Sequence, residues 1–198
     1  VGYPLVTVNE ENSKLKLTQE RFLIENYTND KTKWPIPVVI GSNGELLKNL
    51  MKEKTTSINV KPNAKFKINL GQNGFYRVNY SDELLERLKN LVIGKKLLGI
   101  DRWGVQNDIF ALCVAGRIPV KKYFEIIKWY SNDDEYIVCE DIEGNLYSIY
   151  FLSAKENFSQ EIKKMNHDFV YKIFKGLGWD ERKGEKDTDA LLRSSTIF

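Results

Sequence analysis

With 198 residues, 42% of them hydrophobic and 29% charged, the chain has the make-up of an ordinary globular protein, long enough for one large domain or two small ones with real cores. Its apolar runs fall short of the ~18 residues that a membrane-spanning helix needs, and its one histidine, His167, excludes H-E-x-x-H and every other two-histidine metal set or triad from this chain. The formal net charge of +3 is too small to point to nucleic acid, but it is unevenly placed: residues 1–80 hold 12 Lys and Arg against 7 Asp and Glu, and residues 81–198 hold 18 against 20.

The start, Val1-Gly2-Tyr3-Pro4, has no basic stretch before an apolar run and does not read as a signal peptide. The missing initiator Met reads as a fragment of something longer. The first eighty residues read as strands. Gly2 to Val8 is β-branched and aromatic, with a proline that suits an edge or a strand start. Leu15 to Leu23 alternates, but the apolar phase slips between Leu17 and Phe22, which predicts a bulge or twist. Trp34 to Ile40 is apolar and extended by its two prolines. Gly41-Ser42-Asn43-Gly44 is a turn cluster, and Thr55 to Val60 is a short strand. Phe66, Ile68 and Leu70 alternate with Lys65, Lys67 and Asn69, predicting one buried face. Gly71-Gln72-Asn73-Gly74 then reads as a tight reversal into a return strand, Phe75 to Tyr80. Strands at this spacing predict a small antiparallel β-sandwich.

From Asp82 the period becomes helical. Leu84, Leu85, Leu88 and Leu91 follow acidic residues that suit a helix N-terminus, and Gly94 ends the run. Asp101 reads as the cap of a second helix through Val114, stopped by Gly116 and Pro119. Further helices are predicted over Lys121–Tyr130, Tyr136–Ile149, Phe158–Lys175 and Asp187–Ile197. Helices of this length with short turns make a bundle or a solenoid. The predicted fold is therefore a β-sandwich followed by an all-α helical array, a truncated superhelix of the α-solenoid kind. Its domains are 1–80 and 81–198, with the seam near Tyr80–Asp82.

No residue set reads as a catalytic or metal site, and the substrate-binding residues are unknown at this stage. His167, between Asn166 and Asp168, has no companion at metal-ligand spacing. Asp133-Asp134-Glu135 could hold a cation but better suits a helix start. Glu140 and Asp141 point apart on a helix, so with Glu143 they read as a solvated face. Arg77 is either a buried ion-pair partner, the favoured reading, or a group aimed into a ligand cleft. Gly71-x-x-Gly74 is too short for a phosphate loop. Cys113 and Cys139 lack C-x-x-C spacing, which excludes a zinc ribbon or a thioredoxin motif; two reduced thiols in a cytoplasmic chain are expected rather than a disulfide.

Several strings occur in an order that resembles a known family: Gly2-Tyr3-Pro4-Leu5-Val6-Thr7-Val8, Gln19-Glu20-Arg21-Phe22, Trp34-Pro35-Ile36-Pro37-Val38, Gly74-Phe75-Tyr76-Arg77-Val78-Asn79-Tyr80, Asn107-Asp108-Ile109-Phe110-Ala111-Leu112 with Ala115-Gly116, and Leu177-Gly178-Trp179. Together they resemble the C-terminal half of the zinc aminopeptidases of the aminopeptidase N and puromycin-sensitive aminopeptidase family, over essentially the whole chain. Cys139, where relatives commonly carry an aromatic, and the Asp101-Arg102-Trp103 opening depart from the pattern in ways that affect packing.

The resemblance implies that a zinc domain with H-E-x-x-H, a downstream Glu ligand and an amine-binding G-x-M-E-N precedes this region; none of these strings occurs here. It implies that residues 1–80 are the linking sandwich and residues 81–198 the first part of a helical domain that caps the active site. The cofactor is then zinc in the parent and none in this chain. The implied partners are the parent's own catalytic domain and peptide substrates, with no nucleic acid and no membrane. The apolar end, Ala190, Leu191, Leu192, Ile197 and Phe198, predicts an exposed patch and self-association. The alternative is a freestanding helical-repeat module that binds proteins.

Overall fold

The computed structural model describes residues 2–24, 30–42, 44–61 and 63–196. Among them lie seven strands and, after the last strand, six helices, so a sheet region is followed by a helical array as the sequence predicts. β1 (Tyr3–Glu11), β2 (Lys14–Phe22), β5 (Thr55–Asn59) and β7 (Arg77–Tyr80) form one sheet in the order β5-β2-β1-β7. β3 (Ile36–Ser42), β4 (Glu45–Met51) and β6 (Phe66–Ile68) form a second in the order β4-β3-β6. The β1–β2 hairpin turns through Asn12 and Ser13, both in the left-handed region, as a two-residue turn matched to strand twist requires.

No bulge interrupts β1–β2: the register runs unbroken from Tyr3 opposite Phe22 to Glu11 opposite Lys14. The phase slip in the sequence has another cause. The four-stranded sheet has one buried face, and its other face is covered only at the Leu5–Phe22 end. On one, Val6, Val8, Leu15, Leu17 and Val78 are fully buried, and the Tyr80 hydroxyl accepts the Ile68 N–H of the second sheet at 2.8 Å. On the other, Leu5 and Phe22 pack against Leu112 and Ala115 of a helix. Gln19 continues the first face as a polar residue with no exposure. Its amide donates to the carbonyls of Trp34 and Glu53, each at 3.0 Å, and accepts the Trp34 N–H at 2.8 Å, so its burial costs little.

The expected hairpin between Phe66–Leu70 and Phe75–Tyr80 does not form. β6 pairs antiparallel with β3, whereas β7 pairs parallel with β1 in the other sheet. The glycine-rich link is a corner between sheets, containing a 3-10 turn over Leu70–Gln72. Nor does β6 have a solvent face: Lys67 and Asn69 are as buried as Phe66 and Ile68. β4 went unpredicted because Leu46, Leu47 and Leu50 do not alternate; it is an edge strand with Leu46 and Leu50 exposed. Asn43, in the turn before it, lies outside the described residues.

The helices are α1 (Asp82–Ile93), α2 (Gly99–Val114), α3 (Val120–Ile127), α4 (Tyr136–Leu152), α5 (Ser159–Leu177) and α6 (Asp187–Ser195). Strand gives way to helix between Tyr80 and Asp82, but the compact units divide between residues 129 and 130. The first unit holds both sheets with α1–α3. In the second, α4 packs against α5 and α6, and α4 buries Val138, Cys139, Ile142 and Leu146. The change of element type and the change of packing unit are thus separate boundaries.

Candidate functional site at the Phe75 turn

The corner between β6 and β7 is built by one side chain. Asn69, left-handed at φ 58° and 2% exposed, donates to the Gly74 carbonyl at 2.9 Å and to the Gln72 side-chain oxygen at 3.1 Å, and accepts the Gly74 N–H at 2.8 Å. Two glycines let the corner close. A Cβ on Gly74 would lie 2.2 Å from the Tyr76 ring, and one on Gly104 of α2 would lie 1.7 Å from the Gln72 amide nitrogen, so either would displace the side chain packed there. Asp101, expected to cap α2, instead lies inside its first turn and accepts the Gly71 N–H at 2.6 Å. The result is a turn held at several points that leaves Phe75 85% exposed beside buried Tyr76.

Arg77 joins this turn to α2. Its Nη1 donates to the Asn107 side-chain oxygen at 2.6 Å and to Asp108 at 3.1 Å, and its Nε donates to the Tyr3 hydroxyl at 3.0 Å. Asp108 also accepts the Val78 N–H at 3.1 Å. Arg77 therefore is the ion-pair partner the sequence favoured. It also lines a cleft of about 250 Å³ with Tyr3, Phe75, Trp103 and Asn107. The ring centroids of Tyr3 and Phe75 lie 5.3 Å apart.

Beneath the turn sits a buried charge cluster that sequence reasoning missed. Lys67 Nζ donates to the Ile68 carbonyl at 2.5 Å and lies 4.0 Å from Asp101. Burial pushes the Lys67 ammonium down to about 8, against the pull of Asp108 and Asp101. Burial pushes the Asp108 carboxyl up to about 6, against Lys67, Arg77 and the Val78 N–H. Alternation alone placed Lys67 in solvent; the signal was a lysine in the middle of a three-residue strand followed by the tight corner. An unfolded lysine titrates near 10.5 and Lys67 near 8, so between those values the unfolded state binds more protons and stability rises with pH. What Lys67 adds above 10.5 is lost as pH falls through 8. Urea unfolding across this interval is expected to show the native protein gaining on a Lys67→Met variant as pH rises; a difference that stays flat would contradict it.

The other sequence candidates lie apart. His167 is exposed, stacked on Tyr171 at 5.8 Å, with Asp168 at 3.5 Å. Asp133 accepts the N–H groups of Asp134 and Glu135 at 3.0 and 3.1 Å, opening α4. Glu140, Asp141 and Glu143 are half-buried rather than a solvated face, and burial, with Glu140 nearby, raises the Glu143 carboxyl. Cys113 and Cys139 are free thiols. Leu191 and Trp179 are exposed at the chain's helical end, Leu192 is buried, and Ile197 and Phe198 lie outside the described residues. Among the described residues no group of three or more His, Cys, Asp or Glu could hold a metal ion, and no helix is long and apolar enough to cross a membrane. The cleft beside Phe75 is lined by an arginine, the Asp108 carboxylate, amides and aromatic rings.

The two most distinctive strings, Gly74–Tyr80 and Asn107–Leu112, are thus one physical joint, closed by Arg77, Asn107 and Asp108. A family model described as "ERAP1-like C-terminal domain" matches residues 65–198, which includes the whole of this joint. The chain belongs to that family. Similar curated proteins include Tricorn protease-interacting factor F2 of Thermoplasma volcanium, 34% identical over 97% of this chain and 23% of the relative. Aminopeptidase M1-A of Oryza sativa subsp. japonica is 31% identical over 99% of this chain and 24% of its own length. Puromycin-sensitive aminopeptidase of Caenorhabditis elegans is 30% identical over 98% and 22%. The chain therefore spans about a quarter of the length of these relatives.

Proposed function

We propose that this chain is the non-catalytic C-terminal region of a zinc aminopeptidase that removes N-terminal residues from peptides in the cytoplasm. Residues 1–80 serve as its linking domain, and residues 81–198 open the helical domain that caps the active site and shapes peptide access. The observation that carries this reading is the match of nearly the whole chain to aminopeptidases, of which it makes up about a quarter. The residues of this chain do not fit the zinc that the reading implies. His167 is alone and exposed, and no metal-holding group accompanies it among the described residues. In this proposal the metal and the water it activates belong to the preceding part of the parent. The name of the Thermoplasma relative, a protease-interacting factor, supports a protease as a further partner. Exposed Trp179 and Leu191 support self-association through the helical end.

The test is an assay of the purified chain on aminoacyl-anilides with added zinc. A hydrolytic zinc site takes three protein ligands, and this chain supplies no such set; no chelator-sensitive turnover is expected. Turnover that a chelator abolishes would overturn the reading.

A further inference from the structure

Phe75 is 85% exposed, yet the turn that carries it is fixed from several sides. Asn69 makes four side-chain hydrogen bonds across it, Asp101 holds Gly71, and Gly104 leaves the space that Gln72 fills. Ordering a backbone costs ~1–2 kcal/mol per residue, and burying Phe75 would be the usual compensation. Here the rigid frame instead presents the ring outward. A pre-organised aromatic beside a half-exposed arginine is the form an interface anchor takes.

We propose that the Phe75 turn, with Tyr3, Trp103 and Arg77 around it, is the seat for the part of the parent aminopeptidase that precedes this region. The proposal rests on the reading above, and two observations select the occupant. The relatives carry more than three quarters of their length outside the matched span. Tyr3, the first residue of β1, has its ring against Phe75, so polypeptide joined to the start of β1 emerges beside this turn. Tethering there gives it a high effective concentration at the seat. The chemistry of the seat is also defined. Phe75 and Trp103 offer apolar area. All of Arg77's bonds among the described residues run through Nε and Nη1, which leaves Nη2 to donate. The occupant presents an apolar side chain flanked by a carbonyl or carboxylate oxygen.

Hydroxyl-radical footprinting of Phe75, read by mass spectrometry, separates the outcomes. In the 198-residue chain Phe75 is expected to oxidise freely, and in the full-length parent several-fold less. A Phe75→Glu variant is expected to leave the chain's unfolding midpoint unchanged, because the ring packs so little within it. In the parent it lowers the midpoint and speeds proteolytic separation of this region. Equal oxidation in chain and parent overturns the proposal while leaving the aminopeptidase reading standing. A native polypeptide of only 198 residues overturns both. Phe75-dependent dimerisation of the chain alone, seen by light scattering, would assign the seat to a second copy and overturn it as well.

Discussion

Asp108→Ala is expected to lower the unfolding free energy of the first unit by about 3–5 kcal/mol, the range for breaking a buried charge pair from one side. Among the described residues β7 is the edge of its sheet, paired with β1 alone. The Asp108 carboxylate, carried by α2, takes the place of a missing neighbour strand by accepting the Val78 N–H. The same carboxylate accepts from Arg77 and faces buried Lys67, whose remaining acidic partner, Asp101, is 4.0 Å away. Removing it leaves a buried backbone donor unpaired and two cations under-compensated. An Asp108→Ala, Arg77→Met double variant is expected to recover part of the loss, since the guanidinium is then gone too. Urea unfolding at neutral pH measures both. A loss for Asp108→Ala below about 1 kcal/mol, the ordinary level of single substitutions, would show that the cluster does not hold strand and helix together.

Leu112→Ala is expected to cost about 2–5 kcal/mol, the range for truncating a buried leucine whose surroundings cannot collapse. Leu112 has no exposure and packs with Leu5 and Phe22 of the sheet and with Ala115. If sheets and α1–α3 are one unit, amide protection in β1, β2 and α2 falls together in the variant, because a shared core opens as one. Loss of protection confined to α2 would mean that sheets and helices unfold separately, with the cooperative seam at the strand-to-helix switch.

Where the sequence misled, the cause was packing on a second side. Period-two reasoning assumes one wet face. β1 and β2 show why that fails: Leu17 and Phe22 are both buried, one toward the second sheet and one toward α2, so a straight strand reads as a slipped one. Lys67 is the sharper case, because a lysine reads as solvent until Asp101 and Asp108, more than thirty residues on, are folded against it. The helices were legible because their apolar period is local, although the expected Asp101 cap of α2 does not form. The expected end of α2 at Gly116 matches its left-handed φ of 65° after Val114. The corner at Gly71–Gly74 was legible as a turn but not as a crossover, since partner choice for β6 and β7 lies in β3 and β1. Arg77 was singled out from its aromatic strand alone, and the favoured ion-pair reading is the one its pairing with Asp108 shows.

If this chain is the C-terminal region of a longer zinc aminopeptidase, as proposed, the native polypeptide is far larger than the chain. Isolation of the native polypeptide with an antibody against this chain tests it most directly, by mass and by activity in the same fraction. The chain spans 22–24% of the relatives, so the expected mass is roughly four times its 23.0 kDa, with chelator-sensitive aminopeptidase activity in the same peak. A 23.0 kDa species without that activity would contradict the account.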